Sequence, residues 1–304
     1  MSETGADARM RAASAPINWG VYRLDPDNPD PDALLDEIAA AGYVGCELGP
    51  LGYFAATPEE VATQFGRRGL ALASAFVATH LGQPLTPEFA REFETVATLL
   101  REGGATTILL SDGFLPERAR VVSHVEQSPE TWWSDAEWAQ ALANIQTLME
   151  RADRFGLRLA FHPHVATHVE SEREIDRLLE MTAADAMPLC LDTGHMLIGG
   201  ADPAAILEAH GERVVHVHAK DVRGAPLARL RAGEIDYSTA VGEGIYCDLG
   251  DGVVDWGRIV AGLAAAGYAD WLVVEQDRRL SPEQDAPFAS MRRNRAFVAE
   301  RFGV

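Results

Sequence analysis

The sequence predicts an α/β protein that folds as a closed barrel of eight strand–helix units, the (β/α)8 TIM barrel. Three observations predict this class. Eight short apolar runs recur along the 304 residues, helical segments separate them, and polar side chains follow most of the runs. Near-continuous apolar strands are typical of a parallel sheet covered by helices. A doubly wound open sheet is the alternative, but no GxGxxG motif follows the first run.

The apolar runs are the predicted strands, and each is short enough to cross a barrel once. They lie at residues 17–22, 44–49, 71–79, 106–111, 158–162, 188–192, 214–219 and 271–275. No linker or change of composition divides the chain, so we expect one domain over residues 16–304. The polar, Ala-rich segment 1–15 is expected to be a disordered N-terminal tail.

The helices between these runs are marked at both ends. Several end in a glycine shortly before the next apolar run, as in IAAAGYVGCELG (38–49) and ADRFGLRLAFHPH (152–164), because a helix end favours a left-handed residue. At helix starts, Thr57 and Asp202 precede a first-turn proline, and Ser171 and Glu174 have the spacing of a capping box.

Charge and cysteine content exclude several classes of protein. The formal net charge is −20, from 26 Lys and Arg against 46 Asp and Glu, which disfavours binding to nucleic acid or anionic membranes. No apolar leader and no run of about 18 apolar residues occurs. Three scattered cysteines are too few for a disulfide framework. We expect a cytoplasmic protein, and a homo-oligomer is compatible with the sequence.

Polar side chains at the ends of the last three predicted barrel strands indicate a metal site. Asp192, His218 and Glu275 lie on neighbouring strands, and barrel chemistry collects at the carboxyl ends of strands. His216 shares the face of His218 but lies deeper, where we expect a structural role. Imidazole and carboxylate suit Mn²⁺, Co²⁺, Fe²⁺ or Zn²⁺. A fourth ligand must come from the fifth strand or its loop, which offers Glu170, His162 and His164.

Several motifs occur in an order that is typical of one superfamily. They are APINWG (15–20), SDAEW (134–138), LAFHPHVATHVES (159–171), LDTGH (191–195), HVHAKDVR (216–223), GDGVVDW (250–256) and WLVVEQD (271–277). Together they resemble the xylose-isomerase-like TIM-barrel superfamily of sugar isomerases and epimerases, and within it the inosose dehydratase branch. The resemblance covers nearly the whole chain, and LDTGH and HVHAKDVR are its most specific pieces.

The resemblance implies a divalent metal held by a Glu, an Asp, a His and a second Glu. Asp192, His218 and Glu275 match three of these ligands. His162 stands where many relatives carry the first glutamate, and Glu170 is the nearest carboxylate. We therefore expect Glu170 to be the fourth ligand and Mn²⁺ to be the first candidate metal, with Co²⁺, Mg²⁺, Fe²⁺ and Zn²⁺ as alternatives.

The chemistry implied by the resemblance is removal of a proton next to a carbonyl. We expect Lys220, Glu275 and His195 to be the catalytic residues. We expect substrate contacts from Glu47, His162, His164 and His195. A cation beside Lys220 would depress the pKa of its amine and make it a base, whereas a plain salt bridge is the alternative.

Four functions are compatible with these residues. The leading interpretation is a lyase that removes water from an inosose, a cyclic keto-polyol. The alternative is an epimerase or isomerase of a keto-sugar, which uses the same metal and returns the proton elsewhere. An abasic-site endonuclease of this barrel type would need a basic surface, which a net charge of −20 disfavours. A non-catalytic sugar-binding role would follow if the fifth-strand site were degenerate.

Overall fold

Parallel pairing joins nine strands into one sheet, while two further strands form a small antiparallel ribbon. The structure is a computed structural model and describes residues 9–182, 187–278 and 286–304. The strands are β1 (Arg11–Ser14), β2 (Gly45–Cys46), β3 (Ala71–Leu72), β4 (Phe76–Thr79), β5 (Thr107–Asp112), β6 (Arg158–Phe161), β7 (Leu189–Asp192), β8 (Val214–Ala219), β9 (Asp221–Val222), β10 (Tyr246–Cys247) and β11 (Trp271–Val274). β9 and β10 form the ribbon.

The sheet closes into a barrel through a break in its third strand. The order β3-β2-β1-β11-β8-β7-β6-β5-β4 begins and ends with consecutive pieces of chain. Residues 73–75 connect them: Ala73 N donates to Cys46 O at 2.9 Å, and Leu109 N donates to Ala75 O at 2.8 Å. β3 and β4 are therefore one barrel strand, and the predicted (β/α)8 class is confirmed.

Helices cover the outside of the barrel. They are α1 (Pro31–Ala40), α2 (Pro58–Gly66), α3 (Pro87–Glu102), α4 (Pro116–Ala119), α5 (Asp135–Arg154), α6 (Glu172–Glu180), α7 (Thr193–Gly199), α8 (Pro203–His210), α9 (Gly224–Arg231), α10 (Tyr237–Gly242), α11 (Trp256–Ala265) and α12 (Pro287–Phe302). None of the helices within the described ranges combines the length and apolar composition that a membrane span needs.

The predicted helix signals operate as expected. Ser171 accepts a hydrogen bond from Glu174 N, and the Glu174 carboxylate accepts one in return from Ser171 N, which completes the capping box of α6. Asp202 caps α8 by accepting from Ala204 N at 2.9 Å. Gly42 and Gly156, which follow α1 and α5, have φ of +93° and +71°. Left-handed glycines thus end these helices and turn the chain back toward the barrel.

The first strand is displaced from its predicted position. The apolar run at 17–22 overlaps a 3-10 turn, Pro16–Trp19, whereas β1 lies within the segment expected to be a tail. Proline has no N–H for a strand ladder, so a strand does not continue through Pro16. The tail prediction was too long by at least the four residues of β1, and residues 1–8 lie outside the described ranges.

The barrel interior changes from apolar to polar toward the carboxyl ends of its strands. Near the amino ends, Trp271 packs with Ala13 and other small residues. A Cβ on Gly45 would lie 2.6 Å from the Trp271 ring, so small residues in β1 and β2 make room for this indole. Leu109, Ala160 and Cys190 form the next interior cluster. The side chains that follow along the strands are polar and form the candidate site.

Candidate metal and acid–base site

Five strand ends deliver the central side chains of the site to one rim of the barrel. Asp192 is the last residue of β7 and His218 lies near the end of β8, while Glu47, His162 and Glu275 immediately follow β2, β6 and β11. The carboxyl ends of parallel barrel strands share one rim, and this is where such barrels hold their chemistry.

Four of these side chains form a donor cluster, which we define as His162, Asp192, His218 and Glu275. Each offers one ligand atom, and these atoms lie within 4.8 Å of one another. His218 Nδ1 is 2.8 Å from Glu275 Oε2 and 3.2 Å from His162 Nε2. Two imidazoles and two carboxylates are ligands that first-row divalent metals accept. The donor cluster therefore has the chemistry of a divalent-metal site.

The two carboxylate oxygens of Asp192 have different roles: one caps a helix and the other belongs to the donor cluster. Its Oδ1 caps α7 by accepting from Gly194 N at 2.9 Å and His195 N at 2.8 Å. Its Oδ2 is buried and has no well-directed hydrogen-bond donor among the described residues, although His162 Nε2 and the Lys220 ammonium each lie 3.3 Å away. A buried carboxylate oxygen without such a donor fits a site that takes a cation.

The LDTGH and HVHAKDVR motifs are joined directly to each other. Thr193 Oγ1 donates to Lys220 O at 2.7 Å and accepts from Lys220 N at 2.9 Å. A Cβ on Gly194 would lie 2.6 Å from Lys220 Cγ, so a larger residue there would displace the lysine. These contacts explain why Asp192 and Lys220 reach the same point of the rim.

Glu47 lies beneath the donor cluster and orients one of its imidazoles. Its Oε1 is 3.0 Å from His218 Nε2, 3.3 Å from His216 Nε2, and accepts from Ser74 Oγ at 2.5 Å. Burial raises the pKa of Glu47, but His218 and His216 outweigh this and hold it well below its usual value. Glu47 is buried and its Oε1 faces His218 and His216, so the structure gives it a contact that orients an imidazole, while its expected contact with substrate stays a prediction.

Lys220 is surrounded by acceptors. Its Nζ is 2.7 Å from Asp277 Oδ2, 2.8 Å from His195 Nε2 and 3.0 Å from Glu275 Oε2. Burial lowers the pKa of Lys220, but the charges of Asp192, Asp277 and Glu275 outweigh burial and raise it well above its usual value. The carboxylates thus stabilise the ammonium form, and the depressed pKa expected beside a bound cation stays a prediction.

Two neighbouring imidazoles, His164 and His195, lie close to Lys220. The rings of His164 and His195 have centroids 3.7 Å apart, and His195 Nδ1 is 3.2 Å from the Tyr246 hydroxyl. Burial lowers the pKa of His164 to about 3, and repulsion from His162 and Lys220 acts in the same direction. Burial, together with His164 and the charge of Lys220, also lowers the pKa of His195 well below its usual value.

Glu170, the expected fourth ligand, lies outside the donor cluster. Its Oε2 accepts from Ala166 N at 2.7 Å and its Oε1 from Ser123 N at 3.2 Å. Ala166 has φ of +63°, and the tight loop after β6 turns the carboxylate toward these backbone groups. The structure therefore does not bring Glu170 to the other three expected ligands, and His162, expected to contact substrate, lies among them instead.

Three further residues of the site were not predicted from the sequence. Asp277 had a usable signal, because strand alternation places it on the same side of the chain as Glu275. Ser74 lies in the break between β3 and β4, and Tyr246 comes from β10. Neither of these has a sequence pattern that indicates a site.

Comparison with known proteins identifies the family. The profile described as "Xylose isomerase-like TIM barrel" matches residues 35–297. The chain belongs to this family. It is 34% identical over 288 residues to the rhizopine catabolism protein MocC of Rhizobium meliloti, covering 93% of this chain and 86% of that protein. It is 29% identical to the inosose dehydratase of Geobacillus thermodenitrificans (strain NG80-2), covering 97% of this chain and 98% of that enzyme.

Solved structures show the same fold at lower sequence identity. The IOLI protein with a bound zinc atom has a TM-score of 0.71 and 15% identity, and the match covers 97% of this chain and 98% of that chain. Further structural neighbours include L-ribulose 3-epimerase and D-psicose 3-epimerase. At these identities the likeness establishes the TIM-barrel fold, while the curated relatives carry the information about activity.

Proposed function

We propose that this chain is a divalent-metal-dependent carbon–oxygen lyase that removes water from a cyclic keto-polyol, as its inosose dehydratase relatives do by name. The observation that carries the proposal is the donor cluster with the Lys220 ammonium 3.0 Å from Glu275. Elimination next to a carbonyl needs an electrophile to polarise the carbonyl oxygen and an acid to protonate the leaving hydroxyl. A metal site beside the Lys220 ammonium would supply both.

The four side chains of the donor cluster would hold the metal, and Mn²⁺ is our first candidate. When bound, the ion supplies a Lewis acid that polarises a carbonyl oxygen. Behind the cluster, Glu47 supports His218 through its second ring nitrogen, an arrangement that is common for metal-binding histidines. The mixed oxygen and nitrogen donors also admit Co²⁺, Fe²⁺ and Zn²⁺.

We assign the proton transfers to Glu275 and Lys220. Glu275 is the most exposed member of the donor cluster, at 12% of its side chain, so its carboxylate can reach a substrate carbon. It takes the proton from the carbon next to the carbonyl, and a carbon–carbon double bond forms as the neighbouring C–O bond breaks. Lys220 Nζ gives its proton to the departing hydroxyl, which leaves as water. The neutral imidazoles of His164 and His195 bind substrate hydroxyls.

An epimerase or isomerase of a keto-sugar is the second candidate function. Two carboxylates contact Lys220 Nζ, Glu275 at 3.0 Å and Asp277 at 2.7 Å. Two acceptors around one proton donor would suit removal of a proton from one carbon and its return to another face or carbon. Sugar epimerases among the structural neighbours share the fold.

Chelation followed by metal addition, with the product analysed by mass, tests both functions. We expect the chelated enzyme to be inactive on an inosose and Mn²⁺ to restore formation of an ultraviolet-absorbing product lighter by one water. A product of unchanged mass and altered stereochemistry would establish the epimerase instead. Full activity after exhaustive chelation would exclude both.

A pair of variants separates the proton donor from the metal site. Lys220→Met should retain bound metal, measured by elemental analysis, but lose elimination, because the leaving hydroxyl no longer receives a proton. Asp112→Asn is the matched control. Asp112 is a buried carboxylate at the end of β5 that lies outside the donor cluster, and its Oδ1 accepts from Leu81 N. We expect this control to keep its activity.

We also propose that the protein works in the cytoplasm on a small-molecule substrate. All three cysteines, Cys46, Cys190 and Cys247, are buried and unpaired. Free thiols are typical of a reducing compartment. Fractionation of the source cells with an antibody to the chain tests the location.

A further inference from the structure

We propose that Phe76 determines substrate specificity: its ring is the wall against which the C–H face of a cyclic substrate packs. This inference rests on the proposed function and adds the shape of the substrate to it. It predicts that the site prefers a ring polyol to an open-chain sugar, although both carry similar hydroxyl groups.

Phe76 is an exposed aromatic residue on the inner face of a barrel strand. It is 41% exposed, whereas Ala75 and Val77 beside it in the chain are 1% and 3% exposed. Its register partner on β5 is Leu109, which belongs to an interior cluster of the barrel. Val77 packs instead into the layer between sheet and helices. Because side chains alternate along a strand, the Phe76 ring lies on the interior side.

The Phe76 ring lies next to the donor cluster. Its centroid is 5.5 Å from that of His162, with the rings at 85° to each other, and 6.1 Å from that of His164. A molecule that places oxygen atoms at the donor cluster will therefore have its carbon skeleton beside this ring. The neighbouring polar groups can bind the oxygens of that molecule, but the ring offers only apolar contact.

Two other aromatic side chains near the rim, Trp133 and Tyr246, are packed and largely buried. Trp133 is 6% exposed and stacks on His168 at 4.7 Å between centroids. Tyr246 is also 6% exposed, and its hydroxyl is hydrogen-bonded to His195 and Tyr237. Phe76 differs from these two because it is 41% exposed and its ring can contact a ligand.

The chemistry of the ring selects the shape of the substrate. An apolar ring gains by covering, but a hydroxyl pressed against it would lose its hydrogen bonds to water. A cyclic polyol with mostly equatorial hydroxyls presents flat faces of C–H bonds and keeps its oxygens at the edge. Such a molecule can turn its edge to the donor cluster and one face to Phe76. An open-chain sugar has no comparable flat face.

Binding of unreactive polyols to the metal-loaded protein tests this inference without turnover. We would titrate myo-inositol, as the cyclic probe, and sorbitol, as the open-chain probe, into the wild type, Phe76→Ala and Phe76→Trp. We expect the wild type to prefer myo-inositol. Phe76→Ala should weaken myo-inositol binding about tenfold, with sorbitol changing less than about twofold, and Phe76→Trp should retain the preference.

Two controls distinguish loss of the Phe76 contact from a general disturbance of the donor cluster. The Kd of the metal should be the same in Phe76→Ala as in the wild type. Val44→Ala removes an apolar side chain that is 46% exposed and precedes β2 at the opposite rim, and it should leave both polyol affinities unchanged. The inference fails if Phe76→Ala weakens both polyols equally, if it weakens neither, or if the wild type does not favour myo-inositol. If the preference holds but no inosose is dehydrated, the proposed lyase function fails and the assignment of Phe76 stands.

Discussion

Glu47 contacts a histidine of the donor cluster, and we predict that it helps to hold the metal through that histidine. Its Oε1 receives His218 Nε2 at 3.0 Å, which fixes the imidazole with Nδ1 toward the other donors. We predict that Glu47→Gln weakens divalent-metal binding by about 10- to 100-fold, because a neutral amide supports the imidazole less than a carboxylate does. Competition with a chromophoric chelator measures the Kd of Mn²⁺ or Zn²⁺ directly.

The Glu47 prediction needs a comparison with a buried carboxylate elsewhere. Asp112→Asn serves again, since Asp112 binds Leu81 N and His168 N outside the donor cluster. Its metal affinity should equal that of the wild type. An unchanged Kd in Glu47→Gln would show that the hydrogen bond to His218 does not help to hold the metal.

Glu170 should make stability depend on pH. Burial raises the pKa of Glu170 to about 8, although the Arg118 charge and the bonds from Ala166 N and Ser123 N lower it. The folded state therefore binds this proton more tightly than the unfolded chain, where the pKa is about 4.5. The stabilisation is complete below pH 4.5 and is lost as pH rises through 8.

The slope of stability against pH is the quantity to measure for Glu170. Glu170→Gln removes the titrating group, so its free energy of unfolding should fall less steeply than that of the wild type between pH 5 and pH 8. Urea denaturation at several pH values provides both curves. At pH 5 the variant should be about 1–3 kcal/mol less stable than the wild type, since its amide cannot accept from both backbone N–H groups, and this difference should shrink as pH rises toward 8. Parallel curves would refute the raised pKa.

Single residues show what the sequence can and cannot predict about the site. Asp192, His218 and Glu275 could be predicted to converge because each closes a barrel strand, and strand ends share a rim. The choice between His162 and Glu170 could not be made, because it depends on the backbone path of the loop after β6. There, the positive φ of Ala166 turns Glu170 away from the donors.

At the scale of elements, Asp221 holds the loop between β10 and α11 against β9. Its Oδ2 accepts from Gly250 N and Trp256 Nε1, both at 2.8 Å, and its Oδ1 accepts from Val254 N at 3.2 Å. A Cβ on Gly252 would lie 2.1 Å from Asp221 Oδ1, so this loop requires glycine there. The GDGVVDW motif is therefore a structural partner of Asp221.

We predict that Asp221→Ala lowers the free energy of unfolding by about 3 kcal/mol or more, because several buried donors lose their acceptor together. Chemical denaturation measures the loss, and limited proteolysis should cleave the loop faster. Asp251→Ala, an exposed position in the same loop, should change stability by no more than about 0.5 kcal/mol. Equal stability of the two variants would mean that water replaces the carboxylate without cost.

Elements differed in how well local sequence predicted them. Helices and seven of the eight barrel strands carried their own signals of capping, glycine and apolar runs. β1 did not, because Arg-Ala-Ala-Ser has no apolar run. Its small residues are explained by Trp271, which is distant in sequence and fills the barrel interior beside Ala13. Local sequence patterns cannot predict packing of this kind, because the two residues in contact are distant in the sequence.

At the scale of the whole molecule, the donor cluster joins distant parts of an acidic chain. Its ligands are spread from residue 162 to residue 275, and the barrel brings them together only when it is folded. An ion that binds this arrangement binds the folded state alone and must stabilise it. The net charge of −20 adds general self-repulsion, which any salt relieves by screening. Specific binding and screening should therefore be separable.

We predict that Mn²⁺ at one hundred times its Kd stabilises the metal-depleted protein by about 2.7 kcal/mol, or roughly 4 °C in Tm for a chain of 304 residues. Sodium chloride at the same ionic strength should produce a smaller, gradual shift, because it only screens charge. His162→Ala removes one donor and should show the sodium chloride shift but need far more Mn²⁺ for the specific one. Two results would show that the donor cluster is not the metal site. Mn²⁺ and sodium chloride could shift the Tm equally at equal ionic strength, or His162→Ala could respond to Mn²⁺ as the wild type does. In either case the arrangement of the four donors would make no difference to which ion stabilises the fold.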